Sequence, residues 1–220
     1  APAKFSGDVW YVPVSALETA LEQLAQELAR RTPLLLDPLP EHPAETYFLY
    51  KQATIVDAKK LVVQVRSGAL SLAAAREQLR SQLVRALRWG HALVVRMGDT
   101  AADFSTSYCD DDTFPLSLFD AAESPAGTEL CVGGEGFGRL LRPEDVAQSH
   151  GRLSVPSTFR VVVTSTFDAD RYSAVLSDAL PLSLLQPMLI KANEAPLGEA
   201  LGAPRSQQLQ GDRTSLFLQS

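Results

Sequence analysis

The chain has 220 residues, 45% of them hydrophobic, which is enough to bury a sizeable core in one large domain and excludes general disorder. Twenty basic against 26 acidic residues give a formal charge of −6, so no broad footprint for nucleic acid or an anionic membrane is expected. No apolar run approaches the roughly 20 residues of a membrane span, residues 1–5 lack the layout of a signal peptide, and Cys109 and Cys131 can make at most one bridge, so the expected setting is intracellular and cytoplasmic.

The chain does not open on Met, and it is read as a segment of a longer protein. Residues 8–14 form an apolar, β-prone run. Ser15 and Glu18 have capping-box spacing, which predicts a helix with Leu17, Leu21, Leu24 and Leu28 as its apolar stripe. Arg30 and Arg31 suit the negative end of that helix, and Pro33 marks its end. Residues 33–38 read as a short buried strand that delivers Asp37 to its carboxyl end. The next strand is either 54–57 or 61–65, and the pattern leaves both open.

Residues 71–89 make the clearest helix, with Leu72, Leu79, Leu83 and Leu87 as a stripe and Arg76, Arg80, Arg85 and Arg88 mainly outside it. Gly90 is its C-cap. A third buried strand follows at 92–97. From 98 to 157 the pattern dissolves into Asp, Ser, Gly and Pro and reads as a long insertion or loop region. Its Phe104, Tyr108, Phe114, Leu116, Leu118 and Phe119 are expected to pack on their own domain. Strand character returns at 159–166 and is read again at 180–185. The organisation expected is an α/β domain over 1–190, with 98–157 inserted before the fourth core strand, and a polar tail over 191–220. Continuously apolar strands alternating with helices predict a mostly parallel sheet covered on both faces. Ligand chemistry is then sought at the carboxyl ends of the strands, in the turns after Leu36, Met97 and Thr164.

Those turns are poor in nucleotide chemistry. A phosphate cradle needs glycines for close backbone approach, a Lys and a hydroxyl. Residues 37–47 offer three prolines, no glycine and the acids Asp37, Glu41 and Glu45, while Lys51 lies beyond. The strand that should end in a magnesium-binding acid carries Arg96 instead, and Asp99 or Asp103 would serve only after a register shift. Asp110, Asp111 and Asp112 read as a solvated acidic turn without calcium-loop spacing. Residues 134–138 make no dinucleotide fingerprint, and His42, His91 and His150 have no zinc-ligand spacing. Ser165 lacks a nucleophile elbow and would need a histidine to act in hydrolysis. No cofactor and no metal is expected.

Three segments in order carry a resemblance: Thr32-Pro33-Leu34-Leu35-Leu36-Asp37-Pro38, then residues 83–95 with a helix ending at Gly90 before a strand, then residues 159–166 followed by Tyr172 and Leu180-Pro181-Leu182. In this the chain resembles the AAA modules of dynein heavy chains, most closely the fifth, whose phosphate loop is replaced by an Asp-Pro turn and whose role is structural. The resemblance implies a P-loop NTPase-like fold. It places residues Asp37 to Thr46 at the phosphate loop, Arg96 near the acidic strand end, and Thr164 or Ser165 at the polar sensor position, all as vestigial sites. Motor activity does not transfer to 220 residues. The implied setting is a larger chain of the IQ-motif and ankyrin-repeat kind, with cytoskeletal or ciliary association. The expected function is a non-catalytic AAA-like module acting as a structural or protein-interaction domain. Its partner would be another protein or the flanking domains of a larger chain, with no nucleic acid and no membrane. The alternative is a module that binds nucleotide without hydrolysis through Thr46, Lys51, Arg160 or Ser165.

Overall fold

The computed structural model describes residues 4–6, 9–27 and 31–193. In chain order the elements are β1 (Lys4–Ser6), β2 (Val9–Pro13), α1 (Leu17–Glu27), β3 (Thr32–Leu36), α2 (Pro43–Tyr50), β4 (Thr54–Asp57), α3 (Ala58–Arg66), α4 (Leu72–Trp89), β5 (Ala92–Gly98), β6 (Glu129–Cys131), β7 (Arg152–Ser154), β8 (Arg160–Ser165), α5 (Tyr172–Leu176) and β9 (Leu185–Lys191). A seven-stranded sheet runs in the order β1-β2-β9-β3-β8-β5-β4. Its last six strands are parallel and β1 is an antiparallel edge. This is the α/β class expected. Alternate residues of the central strands supply two cores. Leu35, Val94, Val162 and Met188 meet α1 and α2 on one face, and Leu34, Val95, Val163 and Leu189 meet α3, α4, α5 and the insertion on the other.

Local chemistry explains the boundaries. Residues 54–57 are the strand and 61–65 lie in α3, because Asp57 both ends β4 and accepts the Lys60 amide at 2.9 Å as the N-cap of α3. Ser71 caps α4 through the Ala74 amide at 3.2 Å, and Gly90 closes that helix with φ +65°. A Cβ at Gly90 would sit 2.4 Å from Thr158 Oγ1 and 2.6 Å from Pro156 Cβ, so both the conformation and the space require glycine.

Several expectations need correction. Ser15 does not form a capping box: it lies in a 3₁₀ turn over Val14–Ala16 capped by Pro13, and its amide donates to Asn193 Oδ1 at 2.9 Å. Leu17, Leu21 and Leu24 are buried as the stripe requires, whereas Leu28 and Arg30 lie outside the described residues. The strand read at 180–185 starts only at Leu185. Before it comes a 3₁₀ turn over Leu182–Leu184, and Gln186 and Pro187 break the apolar run that would have marked the strand. β9 extends to Lys191, and the tail beyond 193 lies outside the described residues.

The insertion is ordered rather than a loose loop. Phe104, Phe114 and Phe119 are fully buried and stack within 6.2 Å of one another. Tyr108 and Leu118 join the same core, while Leu116 stays exposed. The arginines of α4 clamp the insertion in place. Arg76 Nε donates to the Ser107 carbonyl at 2.9 Å. Buried Arg80 reaches the Leu140 carbonyl at 2.8 Å, Asp145 at 2.6 Å and Glu77 at 2.7 Å. Among the described residues no helix is long and apolar enough to cross a membrane.

Candidate functional site

The carboxyl ends of the parallel strands converge on the turn that follows β3. The Asp37 amide donates to the Ser165 carbonyl at 2.7 Å, which sets the start of the turn level with the end of β8. The Asp37 side chain is buried. Its Oδ2 accepts the Ala44 amide at 2.9 Å and its Oδ1 the Leu39 amide at 3.3 Å. Pro43 opens α2 and has no N–H, so Ala44 carries the first amide the helix can offer. The positive end of the α2 dipole therefore faces a carboxylate of its own chain, at the place where such a terminus holds phosphate. Burial pushes the Asp37 carboxyl above its ordinary range, against the pull of the two amides and of His42.

From Asp37 to Ala44 the turn has the eight-residue length of G-x-x-x-x-G-K-[ST]. Asp37 falls at the first glycine, His42 at the second, Pro43 at the lysine and Ala44 at the hydroxyl. His42 keeps a left-handed backbone, φ +43°, the conformation that glycine adopts freely. Thr46 lies two residues beyond this span and is exposed on α2.

A cleft of about 360 Å³ opens beside the turn, lined by His42, Glu45, Asp57, Lys59, Arg96 and Asp99. Arg96 crosses it. Its Nη1 lies 3.2 Å from Glu45 Oε2 on α2, and its Nη2 bonds Asp57 Oδ2 at the end of β4. Partial burial opposes the charge, yet the bonds to Asp57 and Glu45 hold the guanidinium above its ordinary pKa. Asp57 is held low for the matching reason: the Lys60 amide and Arg96 outweigh its burial.

The other expected positions divide. Thr164 lies on β8 between Leu35 of β3 and Arg96 of β5. Its buried hydroxyl has no hydrogen-bond partner among the described residues, and the same holds for His42 Nδ1. Ser165 is buried and structural: its hydroxyl donates to the Gly98 carbonyl at 3.1 Å and accepts the Phe167 amide at 3.4 Å. Lys51 and Arg160 lie elsewhere. Lys51 precedes the amino end of β4 and Arg160 begins β8, so both sit at the opposite end of the sheet from Asp37 and Ser165. The four residues of the nucleotide-binding alternative do not share one site.

Asp99 pairs with Lys59 at 2.7 Å at an exposed turn. Asp103 is committed to its own loop, accepting from the Ser105, Thr106 and Ser107 amides and from the hydroxyls of Thr106 and Ser107. These bonds overcome its partial burial and lower its pKa to about 2. Asp110 closes a turn with Phe114, and Asp111 and Asp112 pair with Arg139. Among the described residues no group of His, Cys, Asp and Glu is arranged to hold a metal ion. Both cysteines are free. Burial pushes the Cys109 thiol up to about 12, so it is unreactive.

The sequence reading named Glu45 only as an acid of the turn and missed Asp57 as the second carboxylate of the cleft. Their signal was Arg96 itself, because a cation at a buried strand end requires carboxylates nearby. Comparison with protein-family models, with curated proteins and with solved structures finds no match for this chain.

Proposed function

We propose that this chain is a non-catalytic, AAA-like module of the dynein-related kind, with a degenerate nucleotide site, serving as a structural or protein-interaction domain. One observation carries the reading: the place for a phosphate at the start of α2 is taken by the Asp37 carboxylate. The place for a metal between strand-end carboxylates is likewise taken by the Arg96 guanidinium. Each internal group has the charge sign of the ligand it replaces. A triphosphate would have to displace Asp37 from a buried position and would find neither a lysine nor a hydroxyl at Pro43 and Ala44.

The strand order supports the same reading. Numbered in chain order from β3, the core strands lie fifth-first-fourth-third-second. This is neither of the common dinucleotide or flavodoxin orders. In this order Thr164 of β8 lies between β3 and the Arg96 strand, which supports the P-loop reading. The orphaned Thr164 hydroxyl fits a sensor that has lost its γ-phosphate. The partner on this reading is a protein or a flanking domain of a larger chain, in a cytoplasmic setting.

Magnesium-dependent ATP turnover by the purified chain tests the proposal. The expected result is no turnover above a buffer blank. Turnover that disappears in Asp99→Asn or Asp103→Asn would overturn it.

A further inference from the structure

At the opposite end of the sheet a second cavity of about 230 Å³ lies between α1, the amino ends of β3 and β8, and the insertion. Its walls are apolar: Leu21 and Leu24 of α1, Pro33 of β3, Leu118 of the insertion, and Phe159 and Val161. Two arginines, Arg31 and Arg160, also line it. The pairing of β3 with β8 runs only from Leu34–Val163 to Leu36–Ser165, and Arg31 and Arg160 lie on the two chains beyond its amino end, where the cavity opens.

Two nearby carboxylates, Glu18 and Asp120, have other hydrogen-bond partners. Glu18 pairs with Lys51 at 2.7 Å and interacts at longer range with Arg160, and Asp120, which bridges Arg31 through the backbone, accepts the Ala122 amide at Oδ1 at 2.9 Å. Among the described residues neither Arg31 nor Arg160 has a carboxylate within salt-bridge distance. Greasy walls with two guanidiniums outside any described salt bridge suit an amphipathic anion. Arg presents a planar fork that suits a carboxylate, and the cavity takes an apolar body.

We propose that this cavity binds a small monocarboxylic acid with an apolar body, its carboxylate held by Arg31 and Arg160 and its chain lying along Leu21, Leu24 and Val161. The volume, below the range usual for drug-sized ligands, limits the body to medium length. The site is independent of the nucleotide-type cleft, and the insertion contributes a wall of it.

Titration calorimetry of the full 220-residue chain with octanoate, octanol and octylamine tests the proposal. Octanoate is expected to bind saturably and octylamine not at all. Arg31→Gln and Arg160→Gln should each weaken octanoate at least about tenfold, the loss of one charge-assisted pair. Leu24→Trp, which fills the cavity without touching the charges, should abolish binding while the far-ultraviolet spectrum is kept. Absence of saturable octanoate binding would overturn the proposal. So would octanol binding as tightly as octanoate, or octanoate affinity unchanged in both arginine variants.

Discussion

Two side chains, Asp37 and Arg96, define the candidate site, and each can be weighed by removing it. Asp37→Ala leaves the first amide of α2 without an acceptor and should cost about 1–2 kcal/mol, read by urea denaturation at neutral pH. The pH dependence separates Asp37 from Asp103. Burial raises the Asp37 pKa, so its contribution is largest below the ordinary carboxylate range and falls as pH rises through the raised value. Asp37→Asn should remove that part of the slope. Asp103 works in the other direction: with a pKa of about 2 in the folded state, its contribution is complete above the ordinary carboxylate pKa and is lost as pH falls toward 2. Solvent screening at this partly exposed group trims its worth to about 1 kcal/mol. Acid unfolding of Asp103→Ala should accordingly lose one component of its midpoint shift. Arg96→Met leaves Glu45 and Asp57 without their bridging guanidinium and should cost about 2–3 kcal/mol, and Arg96→Lys should recover only part of it, because a single ammonium cannot span both carboxylates. If Arg96→Lys proved as stable as the parent protein, the two-carboxylate geometry would be irrelevant.

Among the elements, α4 organises the half of the molecule that the sequence left blank. Its apolar stripe and its cap at Gly90 were plain in the residue pattern, since both follow from helical spacing and from glycine's access to positive φ. Its arginines were not. Outside the stripe, Arg80 reads as a solvated residue, yet it is buried and bonded to Leu140 and Asp145, some 60 positions away in sequence. No local rule anticipates such pairing. Arg80→Ala should cost about 3 kcal/mol and speed proteolysis around 143–151 before the rest of the domain is cut; simultaneous cleavage everywhere would show that the insertion is no separate unit. Gly90→Ala meets both an unfavourable φ and the Thr158 and Pro156 side chains, and a loss of about 2 kcal/mol or more in thermal unfolding is expected. The strands were legible where they are continuously apolar, as in β3, β5 and β8. β9 was hidden by Gln186 and Pro187, although it lies between β2 and β3 in the sheet.

For the whole molecule, the class followed from alternation of apolar strands with amphipathic helices, but the order of the strands did not, because nothing in a strand's own residues names its neighbour. The chemistry of the turn after β3 was legible as an absence of glycine and lysine. What replaced them was not, since the link between Asp37 and Ala44 depends on how the turn folds back on α2. The common direction of the parallel strands also parts Lys51 and Arg160, at the amino ends, from Ser165, leaving the carboxyl-end cleft with charges already matched inside the chain. Such a cleft should have no affinity left for nucleotide. The decisive measurement is a thermal-shift titration of the purified chain with ATP·Mg²⁺ and with ADP to millimolar concentration, because a ligand bound only by the folded state raises the melting temperature by mass action. No shift is expected at any concentration. A saturable rise of several degrees would contradict the filled-site reading and make this an operating nucleotide pocket.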